Sequence, residues 1–592
     1  MKAENSPTVE SHRVTVFRSR AAALGLPFVD LVREPVEQSL VEAADLSHML
    51  DHQWVPRSMT GGGSSDGAGA GVLAIAAAVP PGPDVRAEIA DMFHAAEVEV
   101  ALTTDWDIEH CLLDNRGASL VRLAAEGLDE TRPEFSAKVA WRPWQWRVAI
   151  ALVVLTLVVL VVRPRGALIA AIIACNVMFF IGAIFRSVIG LIGMVSVHRR
   201  AVRSEAAGEP TRLSDDELPV YTILVPAFNE ANVIAKVVDH IAALDYPHSK
   251  LQVLLLLEET DQETIAAARA ARPPEWIRIV VVPEGGPQTK PKACNVGLAL
   301  AKGEFLVIFD AEDRPEPDQL RSVVAQFRDS APTVACVQAR LNYFNDRENI
   351  LTRLFTLEYS HWFDYMLPGL DVLRLPIPLG GTSNHFRTSM LREMGGWDPY
   401  NVTEDADLGM RADAFGYSVA VSASTTWEEA CSHMRPWIKQ RTRWIKGYMV
   451  TLLVHTRRPA GLVRPSGWRR MLSVVGMLAG TPAMFLAAPA MWALWLFTFL
   501  GGNWDALKFP RWMQLPMTIN FIGGNLLLIL TWAASVWRRR KRHLIGFAVL
   551  APVYWTLHSV AAWRALYHLI RRPGHWEKTP HGILHGPASE RS

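Results

Sequence analysis

The chain has 592 residues, long enough for several domains, and its formal net charge of +1 argues against a general nucleic-acid partner. Charged residues are absent from four long stretches, which points away from a wholly soluble protein. Cys111, Cys175, Cys294, Cys336 and Cys431 lack metal-ligand spacing and predict reduced thiols in a cytosolic compartment, not a disulfide frame.

Residues 1–130 read as a soluble segment. Its middle, MTGGGSSDGAGAG (59–71), is a flexible linker or loop by composition. Before it stands AAALGLPFVDLVREPVEQSLVEAADLSHML. After it, VLAIAAAVPPGPDVRAEIADMFHAAEVEVALTTDWDIEHCL reads as strand, helix, strand, helix. The LGLPFVDL opening, the P-x-D turn and the terminal T-x-x-D-I resemble the N-terminal domain of type II secretion ATPases. Some relatives of that domain bind cyclic di-GMP through a leading RLGxxL repeat, which is not found here. The resemblance therefore implies a small docking module with a secretion or export partner.

Val148–Val162, Ala167–Phe185, Met471–Leu500 and Leu515–Trp537 are uncharged and near or above bilayer-crossing length, placing two spans in 146–196 and further spans or interfacial helices in 471–570. The first begins after about 145 mostly polar residues, so no cleavable signal peptide is expected. Basic clusters flank the spans: His198–Arg203, then Arg457, Arg458, Arg469 and Arg470, then Arg538–His543. By the positive-inside rule these clusters, the segment between the second and third spans, and the N-terminal segment are cytosolic, against the weaker vote of Arg163 and Arg165. Arg186 lies inside the second span, where a charge faces protein or snorkels. Leu544–Ile570 carries Pro552, His558 and Arg564 and either spans, leaving the tail 571–592 outside, or is re-entrant or interfacial. The basic tail favours the second, cytosolic arrangement.

From about 215 to 450 strands and helices alternate: VYTILVPAFNE, a helix over 231–244, LQVLLLL, a helix over 262–271, IRIVVVP, a helix over 293–301 and FLVIF. This rhythm predicts a mostly parallel sheet covered by helices. No P-loop and no strand-linked GxGxxG occurs, so ATP hydrolysis and dinucleotide redox chemistry are not expected. FLVIFDAEDRPEP (305–317) breaks from an apolar strand into Asp310, Glu312 and Asp313. Crowded acids at a strand end cost stability unless a cation compensates, so this reads either as a divalent-metal site or as a solvated turn helped by Pro315 and Pro317. Polar groups also gather at the other strand ends: Asn229 and Glu230, then Glu258, Glu259 and Asp261, then Lys290, Lys292 and Asn295. Each alone is a cap or turn residue; together they suit a donor with a base, a ribose and a diphosphate.

VPAFNE, DAEDRPEP, GGTSNHFR, GGWDPYNVTEDADLGMRADAFGY and QRTRW occur in the order found in membrane-embedded family 2 glycosyltransferases, and resemble the cellulose and hyaluronan synthase branch over about 215–450. The resemblance implies a GT-A-type α/β domain set between transmembrane helices, in a bacterial-type inner membrane, with hexosyltransferase activity on a UDP-sugar bound with Mg2+ or Mn2+. It places the metal motif on Asp310 and Glu312, with Asp313 sharing or replacing the second position. It places the general base on Asp405, beside Thr403 and Glu404. Nucleotide-sugar contacts fall on Pro226, Asn229, Glu230 and Asp310, with Glu258, Asp261, Lys292 and Asn295 beside them. Acceptor and diphosphate contacts fall on Gln440, Arg443 and Trp444, with Thr403, Asn384 and His385.

The local readings stand beside these assignments. TEDADLGMRADAFG also reads as a helix N-terminus with Thr403 as its cap. Gln440, Arg443 and Trp444, spaced i, i+3, i+4, share one helical face, which without the other motifs would be a basic membrane-surface helix. Arg441 and Lys446 would point elsewhere, toward lipid phosphates. The implied product is a growing β-linked polysaccharide coupled to export, or a glycolipid. The rivals are a non-processive transferase to a lipid acceptor and a degenerate transferase acting as a scaffold.

Overall fold

Three short apolar runs of the N-terminal segment pair into one small sheet: β1 (Trp54–Thr60), β2 (Val72–Ala77) and β3 (Glu97–Leu102), in that order. The computed structural model describes residues 12–61, 71–207, 213–458, 467–501 and 511–572. It divides into two units, one being the stretch up to Ala124 with Glu258–Thr260 and Val281–Gly286, the other the remainder. In the first unit, helix α1 (Leu46–His52) precedes β1, α2 (Pro83–Phe93) crosses from β2 to the parallel β3, and α3 (Asp105–Thr131) follows. The expected strand, helix, strand, helix order is present. The Gly-rich stretch joins β1 to its antiparallel partner β2 within one sheet and does not separate two modules; its residues 62–70 lie outside the described ones.

The second unit is built on an eight-stranded sheet of order β6-β5-β4-β7-β10-β9-β11-β8. Its strands are β4 (Tyr221–Ala227), β5 (Leu251–Glu258), β6 (Ile277–Val282), β7 (Phe305–Ile308), β8 (Arg314–Pro315), β9 (Val334–Tyr343), β10 (Asn384–Arg387) and β11 (Ser418–Glu428). β4 is parallel to β5 and β7, as the alternating pattern predicts. The sheet as a whole is mixed, which corrects the expectation of a mostly parallel one. The four-residue β10 inserts between β7 and β9 antiparallel to both, and β8 pairs antiparallel with β11. Neither strand has a run long enough to announce itself in sequence.

Helices α4 (Pro143–Val162) and α5 (Pro164–Ala207) precede the sheet; α6 (Ile350–His361), α7 (Glu404–Ala414) and α8 (Met434–His455) belong to its later half; α9 (Gly480–Phe499), α10 (Gln514–Arg538) and α11 (Ala551–Arg571) follow it. Among the described residues five helical stretches are long and apolar enough to cross a membrane: Pro143–Val162, Pro164–Arg200, Trp468–Phe497, Gln514–Arg538 and Arg542–Arg571. The segment left ambiguous in sequence is thus long enough to span.

Basic residues at the span ends bind acids of the sheet-bearing part. Arg470 Nε meets Asp413 Oδ2 at 2.7 Å, Arg539 Nη2 meets Asp364 Oδ1 at 2.8 Å, and Lys541 Nζ meets Asp346 Oδ2 at 2.9 Å. These contacts hold the span ends against the sheet domain. Closer still is the approach of α5 to the helix continuing from α6. A Cβ on Gly193 would stand 1.8 Å from Tyr365 O, and one on Gly369 would stand 2.1 Å from Ile189 O. Two backbones meet here with no room for a methyl group, as small residues permit between packed helices. Gly193→Ala should therefore destabilise the purified protein by about 1–3 kcal/mol for a forced backbone shift, read as a lower unfolding midpoint; an unchanged midpoint would mean that α5 does not pack this closely.

Candidate active site

The strand β7 ends at Ile308, and the chain turns within four residues. Asp310 N–H donates to Asp313 Oδ2 at 2.8 Å, Asp313 N–H returns to Asp310 O at 3.0 Å, and Thr382 Oγ1 also donates to Asp313 Oδ2. Asp313 is 1% exposed, and its other oxygen, Oδ1, is buried without a partner. Glu428, the last residue of β11, likewise holds Oε1 buried without a partner. Burial, followed by the charges of Asp310 and Glu312, pushes the Asp313 carboxyl well above its ordinary range. Burial and the charges of Asp313, Asp310 and Glu312 do the same to Glu428. Lys290 Nζ answers this charge by donating to Asp310 Oδ1, and to Gly381 O at 2.7 Å. Two orphaned carboxyl oxygens in an acid-rich group are oxygen donors of the kind a divalent cation takes, although among the described residues these acids do not draw three ligand atoms within 4.8 Å of one another. The fit includes Glu428, which lies on a different strand and which sequence reading missed.

A second group of side chains meets the first. Glu404 and Asp405 open α7, whose next acid, Asp407, is fixed by Arg411 Nη2 and His455 Nε2, both at 2.9 Å. That buried bridge joins α7 to α8 and sets where Asp405 stands. The Asp405 carboxyl is pushed up to about 6 because burial outweighs its bond from Ala406 N–H and the attraction of Lys290 and Arg443. Glu404 is raised too, by burial and then by Asp405. Arg443 of α8 has Glu404, Asp405 and Asp310 as its countercharges. Asp310, Lys290, Glu404, Asp405 and Arg443 thus form one electrostatic group drawn from the end of β7, one further helix start, α7 and α8. On the same helix Gln440 Oε1 is buried without a partner, and the Trp444 ring lies 6.1 Å from both Phe355 and Tyr359.

Residues 219–447 match the family described as Glycosyltransferase like family 2. The chain carries a family 2 glycosyltransferase domain. Residues 24–120 match the MshEN domain. Among curated relatives, a probable glycosyltransferase, YdaM, of Bacillus subtilis is 27% identical over 40% of this chain and 57% of its own length. A probable glucomannan 4-beta-mannosyltransferase of Arabidopsis thaliana is 26% identical over 47% of this chain and 52% of its own. A beta-monoglucosyldiacylglycerol synthase of a Nostoc species is 28% identical over 45% of this chain and 56% of its own. The chain spans little more than half the length of each.

Several residues singled out from sequence have local structural partners in this glycosyltransferase domain. His385 is 0% exposed and sits between Tyr221 Oη at 2.7 Å and Gln319 Oε1 at 3.3 Å, so it is a core histidine with no face for an acceptor. Asn384 is buried beside it and donates to Gly380 O at 2.6 Å. Asn295 clamps the Trp397 backbone, donating to its O at 2.8 Å and accepting from its N–H at 2.9 Å. Asp261 accepts from Asn229 N–H at 2.5 Å and Thr264 N–H at 3.1 Å, which ties down the loop after β4. Asn229 occupies a left-handed backbone there, with φ of 57°, and Glu230 N–H donates to Thr264 Oγ1 at 3.1 Å. Pro226 is sealed inside β4, Glu258 is buried at the end of β5, and Lys292 is fully buried. Thr403 precedes α7, but its hydroxyl makes no cap bond.

Arg441 and Lys446 correct the membrane-surface expectation for α8. Arg441 is buried and donates through Nη1 to Glu358 Oε1 at 2.9 Å and through Nη2 to Oε2, while Lys446 Nζ donates to Arg572 O at 3.0 Å. The helix packs against α11, so Arg441 and Lys446 meet protein and not lipid. In the MshEN unit, His48, His52 and Glu88 also bring ligand-type atoms together. There Trp54 Nε1–H donates to His48 Nδ1 at 2.9 Å, which leaves the imidazole proton on Nε2, 3.1 Å from Glu88 Oε2. That hydrogen-bonded clamp would have to lose a proton before Nε2 could hold a cation.

The raised carboxyls carry a stability consequence. Asp313 binds its proton more tightly folded than unfolded, so its contribution is complete below the ordinary carboxylate pKa of about 4 and is lost as pH rises through the folded value. In chelator, the unfolding midpoint should fall as pH rises above the ordinary carboxylate range, and Asp313→Asn should flatten that decline. Equal slopes in the two proteins would show that the acids do not repel one another.

Proposed function

We propose that the chain is an inverting membrane glycosyltransferase that moves a sugar from a UDP-sugar to a growing β-linked polysaccharide, with elongation coupled to export across a bacterial-type inner membrane and the catalytic domain in the cytosol. The observation that carries this reading is the joining of the acids at the end of β7 to Asp405 and Arg443 through shared charges. Asp405 takes the proton of the acceptor hydroxyl as that oxygen attacks the anomeric carbon. The bond from that carbon to the diphosphate oxygen breaks on the opposite face, and UDP leaves with the electron pair. Arg443 and Lys290 supply positive charge where the diphosphate departs. Asp310, Glu312, Asp313 and Glu428 would hold Mg2+ or Mn2+, whose charge neutralises that leaving group. Trp444 offers an indole face for the acceptor sugar, and the orphaned Gln440 Oε1 offers an acceptor for one of its hydroxyls.

A second reading, single transfer to a lipid acceptor, is favoured by the similarity to the Nostoc protein, whose name describes a glycolipid synthase, at 28% identity. Purified protein in nanodiscs should release UDP with one donor among UDP-glucose, UDP-N-acetylglucosamine, UDP-galactose and UDP-glucuronate when Mg2+ or Mn2+ is present. Turnover should rise with pH through about 6 as Asp405 ionises, and Asp405→Asn should lose about 10²–10⁴-fold. A long product supports the polymer and a single-sugar lipid the second reading. Silence with every donor would favour the scaffold.

The MshEN unit is read as a docking module for a secretion partner. Deleting residues 1–130 should abolish capture of that partner while leaving UDP release measurable; unchanged partner binding and unchanged activity together would sink the idea.

A further inference from the structure

Arg186 is a guanidinium within the apolar part of α5, and neither catalysis nor the sheet contacts use it. Its Nη2 donates to Thr481 Oγ1 of α9 at 2.7 Å, and its Cζ stands 5.4 Å from the Trp555 ring centroid of α11. It therefore points between three helices and not into lipid. Its Nε is buried without a partner, and among the described residues no carboxylate forms an ion pair with it. Ionisable groups within its electrostatic reach include Tyr448, Glu358 and His361.

Glu358 is already engaged. Its oxygens take both Arg441 amino groups, Tyr554 Oη at 2.9 Å and, more loosely, His558 Nε2 at 3.6 Å. Arg441 thus takes the carboxylate nearest to Arg186, and a guanidinium left without an ion pair in an apolar bundle is expensive. A neutral sugar would occupy some of the free N–H donors of Arg186 and leave its charge unanswered. A phosphate answers both, because its oxygens match the guanidinium fork.

Position narrows the source. Gly193, where α5 touches the sheet domain, is two helical turns along from Arg186, or about 10 Å by helical rise. Tyr448, on the face of α8 one turn beyond Trp444, is within electrostatic reach of both Arg186 and Asp405. An anion lodged among spans at this depth would have to arrive on an apolar carrier. We propose that Arg186, Thr481 and Trp555 form a binding site for the phosphate of a membrane lipid, set between α5, α9 and α11. The site rests on these contacts and not on the identity of the sugar donor.

The test is native mass spectrometry of the full chain in detergent, titrated with phosphatidylglycerol and, separately, with diacylglycerol of the same acyl chains. The wild type should retain the phospholipid in preference to the phosphate-free lipid. Arg186→Gln should weaken retention by about tenfold or more, and Arg186→Lys by less, because it keeps the charge without the fork. Arg165→Gln, at an exposed arginine in the first turn of α5, should bind as the wild type does. A thermal midpoint checks folding; if Arg186→Gln unfolds, Thr481→Val and Trp555→Leu give the same readout. Equal retention by wild type and variants, or equal retention of diacylglycerol, would overturn the site. Displacement of the lipid by millimolar inorganic phosphate would overturn the lipid assignment and leave a site for a free anion.

Discussion

The carboxyls gathered beyond β7 outnumber the cations that face them. Asp310, Glu312, Asp313 and Glu428 converge there, and Lys290 makes the direct ionic bond to Asp310. Burial forbids water from screening the repulsion, so Asp313 and Glu428 are driven toward their neutral forms. The surroundings hold this unfavourable group in place by other means. Asp313 Oδ2 is bound by a main-chain N–H and by Thr382, and the strand β7 behind it is apolar along its whole length. Strain of this kind is retained where it serves a charged ligand.

The helix α8 connects that group to the membrane part. Arg443 carries its charge toward the acids, while Arg441 is committed to Glu358 and Tyr554, Trp444 lies against Phe355 and Tyr359, and Trp437 packs against Tyr554 and His558. Displacing α11 would disturb α8, and through it the Arg443 charge on which Asp405 depends. The bridge from Asp407 to Arg411 and His455 adds a second tie from the same helix to α7. Chemistry and membrane anchoring are consequently not separable parts of this unit.

The order of strands and helices from 215 to 450 and the shared helical face of Gln440, Arg443 and Trp444 were legible because each rests on local spacing, whereas the roles of the acid motif and of Asp405 are implied by the resemblance to a family's ordered motifs. The apolar spans were legible for the same reason, since hydropathy is a property of a continuous run. Lone polar residues were less legible. His385 looks like a ligand beside a Gly-rich turn, yet its partners Tyr221 and Gln319 lie on distant parts of the chain. Asn295 and Asp261 look like substrate contacts, yet each spends its hydrogen bonds on a main-chain turn.

What the sequence by itself determined is the inventory: a glycosyltransferase-like run of motifs, its membrane helices and an N-terminal module, all written in short-range pattern. Tertiary structure alone decided the antiparallel insertion of β10, the arrival of Glu428 among the acids, the burial of Arg441 and Lys446, and the solitary charge of Arg186. The physical reason is common to all four. Each depends on which surfaces segments distant in sequence turn toward one another, and no periodicity within a single segment encodes the charge or the strand that will face it.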